Sequence, residues 1–201
     1  MKYTTESYKY LFDNIKDGDC FETYHNQWYY LLSKLISFIS GEKVSHAMSI
    51  CNVTKSYNIV TFTIAEMVPP KKRWETCVII KKTYADIHWY EAVGSKFNNK
   101  HLDLYHVELE FPLTTIQKKK FREYHLKPKE YNFSEYAITQ NWFSKIFANK
   151  NKTYGNVCSS DAFMGLKTIG IVDNKFDDIS PDPVELLKCS FFKKITKIEP
   201  K

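Results

Sequence analysis

Helical spacing at both ends of the chain, twofold alternation between them, and connections too short for crossover helices predict an α+β fold around a central antiparallel sheet. Tyr8, Leu11, Phe12 and Ile15 recur at intervals of three and four, so residues 4 to 15 are expected to form a short amphipathic helix ending before the turn signal KDGD. A strand should start near Cys20. Residues 27 to 40 then read as a second helix, with Leu31, Leu32, Leu35, Phe38 and Ile39 on one broad face and Gly41 as its stop. From residue 44 the period changes to two. VSHAMSICNV sets His46, Met48 and Ile50 on one side and Ala47, Ser49 and Cys51 on the other. NIVTFTIAEMVPP aligns Val60, Phe62, Ile64 and Glu66, and Pro69 and Pro70 end that strand. Further strands are predicted at 76 to 82 and 102 to 110, whereas 83 to 100 shows no consistent period.

After Pro112 the spacing is helical again, in LTTIQKKKFREYHL (113 to 126), where Thr114 is a suitable cap, and in NFSEYAITQNWFSKIF (132 to 147). A last helix begins at Cys158, with Ala162, Leu166 and Ile169 on one face, Asn156 as its cap and Gly170 as its stop. The predicted order is therefore helices, a sheet, then helices.

At 201 residues, 43% hydrophobic and 26% charged, the chain can bury one substantial core, and no linker-like segment divides it, so a single domain over 1 to 201 is expected. The net charge of +6 is scattered in short groups such as KKR (71 to 73) and KKK (118 to 120), the pattern of solvated faces. Charge and aromatics alone would support nucleic-acid binding, but no recognition helix or RNP-like strand is visible, so no nucleic-acid partner is expected. The N-terminus lacks the apolar core of a signal peptide, and the longest apolar stretch, 27 to 40, is interrupted by Lys34 and falls short of the roughly 20 residues that span a bilayer. A cytoplasmic protein with no integral membrane segment is expected. Its five cysteines are widely spaced, with no C-x-x-C pair and no histidine at zinc-ligand spacing, which predicts free thiols and neither a metal nor a cofactor.

Cys158 differs from the other four in its position. A thiol in the first turn of a helix meets unpaired backbone N–H groups and the positive end of the helix dipole, which favour thiolate. The same donors suit the oxyanion that develops in acyl transfer. Such a nucleophile needs a base and a group to orient that base. Of the six histidines (His25, His46, His88, His101, His106 and His125), His46 stands at the start of a strand whose face is otherwise apolar. A lone histidine there is ordinarily a satisfied core residue. Glu66, however, interrupts the apolar face of the next strand in the same way, and a carboxylate beside an imidazole fixes its tautomer and stabilises its cation.

KDGDCFE (16 to 22), an apolar helix, VSHAMSI (44 to 50), TIAEM (63 to 67), VCSSDAF (157 to 163) and SPDPVELL (180 to 187) resemble, in that order, the circularly permuted NlpC-type cysteine peptidases of the YiiX-like group. The resemblance spans roughly residues 16 to 188. It implies a permuted papain-like fold in which the histidine strand precedes the cysteine helix. It also implies a thiol hydrolase or acyltransferase acting on a peptide, amide or lipid-ester substrate, with Cys158 as nucleophile, His46 as base and Glu66 orienting His46. Glu91, in WYEAVGS, is the alternative for the third role. Ser180 and Pro181 read as a helix cap and first turn, and Asp19 as a turn residue. The competing reading is a non-catalytic module that holds a peptide or lipid in the same cleft.

Overall fold

A computed structural model describes residues 5–25, 44–57, 59–67, 73–81, 87–91, 102–129, 158–172 and 186–198. In chain order the elements are α1 (Thr5–Asn14), β1 (Cys20–His25), β2 (His46–Ser56), β3 (Ile59–Glu66), β4 (Arg73–Lys81), β5 (Ile87–Glu91), β6 (Leu102–Leu109), α2 (Thr115–Leu126), α3 (Cys158–Thr168) and β7 (Phe192–Ile198). The architecture is α+β. Among the described residues the strands form one antiparallel sheet of seven, in the order β5-β4-β3-β2-β1-β6-β7. The predicted helices at 27 to 40 and 132 to 147, the Asn156 cap, the Pro69-Pro70 stop and the Ser180-Pro181 turn lie outside the described residues.

Alternation along the strands sorts side chains onto two faces, each covered by different helices. Phe21, Met48, Ile50, Phe62, Ile64 and Leu104 pack with Leu11 of α1 and with Ile15 just beyond its end. Cys20, Ala47, Cys51, Val107 and Leu109 pack with Phe121 of α2 and Ala162, Phe163 and Leu166 of α3. Both layers are closed: Ile15, Phe21, Ile50 and Phe62 on one side and Cys51, Phe121 and Leu166 on the other are fully buried. A buried side chain of this size contributes about 1.5–3 kcal/mol, so these two apolar sets are a large driving force for docking the helices.

Thr114 caps α2 as its sequence predicts. Its hydroxyl accepts the Gln117 N–H at 3.3 Å, and the Gln117 side chain accepts the Thr114 N–H at 3.0 Å, closing a capping box. Helix α3 ends at Gly170, whose φ of 76° is the left-handed conformation that lets the Ile171 N–H turn back to the Leu166 carbonyl.

Two strands extend the sheet beyond the sequence expectation. β5 lies in the stretch that showed no period. β7 follows the last predicted helical segment, where no element was expected, and pairs with β6 as an edge strand. Its segment FKKITKI places lysines on an exposed edge and buries Ile198, so the apolar alternation that announces an interior strand is largely missing. Among the described residues no helix is long and apolar enough to cross a membrane.

Candidate active site

His46 is the first residue of β2 and Glu66 the last of β3. The two strands are antiparallel neighbours in which Met48 lies opposite Glu66. This register sets Glu66 diagonally across from His46 on the same face, and the Glu66 carboxylate lies 2.7 Å from His46 Nε2. Glu66 is 2% exposed and His46 21% exposed, so the carboxylate is held inside while one part of the ring reaches the surface.

Cys158 is the first residue of α3, half-buried, and its thiol faces the His46 imidazole closely enough for the two groups to shift each other's titration. Because Glu66 occupies Nε2, Nδ1 is the ring nitrogen left for sulfur. By alternation His46 belongs to the α1 face, whereas α3 packs on the opposite one. The contact is therefore made around the end of the sheet, where β2 begins and β3 stops. Only strand termini allow this: a histidine in the middle of β2 would have the sheet between itself and α3.

The electrostatics couple the three groups. Burial opposes charge on the His46 ring, but the Cys158 sulfur and the Glu66 carboxylate outweigh it and push the imidazole up to about 9 from its ordinary 6.5. Burial likewise opposes a thiolate at Cys158. The His46 cation and its hydrogen bond, with the backbone N–H groups of Ala47 and Ser159, overcome this and hold the thiol below its ordinary value. Both shifts run in the direction of an imidazolium–thiolate pair. The Ser159 donor is the helix N-terminal amide anticipated from sequence. The Ala47 donor is new, and no sequence pattern could reveal it, since every residue but proline carries the same N–H.

The other cysteines sit differently. Cys20, Cys51 and Cys77 are fully buried. Burial pushes the Cys20 thiol well up, and the carboxylates of Glu22 and Asp19 add to the effect. Cys189 is half-buried in the turn before β7. Of the remaining histidines, His106 and His125 are buried against the carboxylates of Asp19 and Asp161, and the side chains of His25, His88 and His101 lie outside the described residues. Asp19 does more than make a turn: one carboxylate oxygen accepts the Lys16 N–H, and the same oxygen holds His106. Glu91 is on β5, separated from β2 by β4 and β3, and its side chain is outside the described residues.

A groove of about 650 Å³ runs between α2 and the irregular part of β2, lined by Asp17, Asn52, Lys118, Lys119 and Arg122 among others, and none of Cys158, His46 or Glu66 lines it. Comparison with protein-family models, curated proteins and solved structures finds no match.

Proposed function

We propose that the chain is a thiol-dependent hydrolase or acyltransferase with Cys158 as nucleophile, His46 as general acid and base, and Glu66 orienting His46. The observation that carries this reading is the division of labour on one imidazole: Glu66 at 2.7 Å on Nε2 and the Cys158 thiol on the same ring. A carboxylate on one nitrogen sets the tautomer and orientation with which the other serves the sulfur. The order of histidine strand before cysteine helix, and the meeting of the two at the sheet's end, also support the finer proposal of a permuted papain-like fold.

In the proposed reaction the Cys158 proton passes to His46 and the thiolate attacks an amide or ester carbonyl carbon. The oxyanion that forms lies beside the sulfur, within the field of the Ala47 and Ser159 N–H groups. Collapse breaks the bond to the amine or alcohol, which leaves with the proton from His46, and an acyl thioester remains on Cys158. His46 then takes a proton from water or another acceptor, whose oxygen or nitrogen attacks the thioester. The acid or transferred acyl product leaves and the thiol is restored.

The test is intact-mass measurement after exposure to a panel of ester, peptide and lipid acyl probes. An adduct of acyl mass on the parent chain, absent from Cys158→Ala, is expected. No adduct with any probe, in a protein that binds one of them, would favour a non-catalytic module.

A further inference from the structure

The first turn of α3 carries a second charged side chain besides its thiol. Asp161 follows Cys158 by three residues, which puts the two on the same helix face with about 5–6 Å between their β-carbons. A bare carboxylate there would oppose the thiolate. Asp161 is instead gripped from the end of α2. Its Oδ2 lies 3.1 Å from Nδ1 of His125, and Lys129 Nζ lies 2.5 Å from its Oδ1. The Lys129 ammonium also stands 2.9 Å from the centre of the Tyr124 ring, and Tyr124 hydrogen-bonds Asp161. His125 is fully buried, edge-on to Phe121 with ring centres 4.3 Å apart. The facing position on α3 is Gly165, where a β-carbon would collide with the His125 imidazole. The absence of a side chain there lets the two helices approach closely enough for the grip to form.

We propose that Lys129 and His125, acting through Asp161, form a clamp that positions the nucleophile's helix end and cancels the carboxylate charge beside Cys158. This rests on the proposed role of Cys158, and the residues are positioning residues, acting on the sulfur only through the helix and its field. Among the described residues, the other titratable groups turned toward this end of α3 are His46 from β2, Glu66 from β3 behind it, and buried Glu22 from β1, which lies opposite Ala47. Tyr124 joins them from α2. Lys129 is the cation of this set whose removal leaves both the thiol–imidazole pair and the core intact.

Charge cancellation predicts opposite signs for the two partners, which a purely structural clamp does not. The experiment is the pH–rate profile of Cys158 alkylation by iodoacetamide in the full-length chain, resolved by peptide mapping. Lys129→Met should move the thiolate midpoint up by about 0.5 unit or more, and Asp161→Asn should move it down by a similar amount. Lys129→Arg, which keeps the charge, should leave it near the parent value. Midpoints that shift in one direction for both Lys129→Met and Asp161→Asn, or in neither, would overturn the proposal. So would Lys129→Arg behaving like Lys129→Met. Alkylation needs no acyl substrate. If the acyl-probe panel yields no adduct while these opposed shifts are found, the hydrolase reading fails and the clamp stands.

Discussion

Among the described residues, two histidine–carboxylate pairs of nearly equal length are anchored on this sheet: His46–Glu66 at 2.7 Å and His106–Asp19 at 2.8 Å. They differ in what surrounds them. His106 and Asp19 are both fully buried, and the second ring nitrogen of His106 lies 3.2 Å from the Tyr10 hydroxyl. Tyr10 in turn donates to Glu108, and the other Asp19 oxygen accepts the Leu109 N–H at 2.8 Å. Every member is consumed in tying α1, β1 and β6 together. His46 sits at a strand end, partly exposed, and shares its ring with a thiol. The same pair is a structural pin in one place and a candidate catalytic dyad in the other, so pairing alone identifies neither.

Breaking the pin should have the largest effect on stability. Asp19→Ala removes the acceptor for His106, the Leu109 N–H and the Lys16 N–H together, leaving buried donors unmet, and should cost about 3–5 kcal/mol in urea unfolding. The alkylation profile of Cys158 in the molecules still folded should match the parent.

Breaking the dyad should act on chemistry instead. Glu66→Gln should lower turnover of whichever acyl probe modifies Cys158 by a factor on the order of 10³, with a smaller change in KM. Near-parental turnover would remove Glu66 from the orienting role.

His46→Ala should slow Cys158 alkylation at neutral pH by roughly tenfold and return its profile to that of an ordinary thiol. In the parent, Cys158 should label before Cys20, Cys51, Cys77 and Cys189. Stability should show the same linkage. The folded imidazole titrates at about 9, above its ordinary 6.5, so the stabilisation from its protonation is complete below 6.5 and is lost as pH rises through 9. The unfolding free energies of parent and His46→Ala should accordingly converge across that window. A gap that widens with pH would show that the charged imidazole is not what His46 contributes.

The smallest effect is expected from Glu91→Gln, which should change turnover by less than about twofold. A loss comparable to that of Glu66→Gln would move the orienting role to β5.

The chain's alternation and helical spacing determined α1, β1 to β4, β6, α2 and α3, because each element buries one face and its apolar period records that face. The same period made His46 and Glu66 conspicuous as polar interruptions of apolar strands, and the start of α3 marked Cys158. β7 was not legible because an edge strand carries lysines where an inner one carries core residues. Only the tertiary structure shows what each described histidine meets. His46, His106 and His125 each meet a carboxylate, and His106 shares His46's strand setting. A sequence pattern reports which face a residue takes but not what a distant helix brings to the end of that strand. The thiol reaches His46 because α3 starts where β2 begins, and Asp161 is held because Gly165 lets α2 come close. Both are contacts between segments far apart in the chain, set by packing around two cores rather than by any local preference.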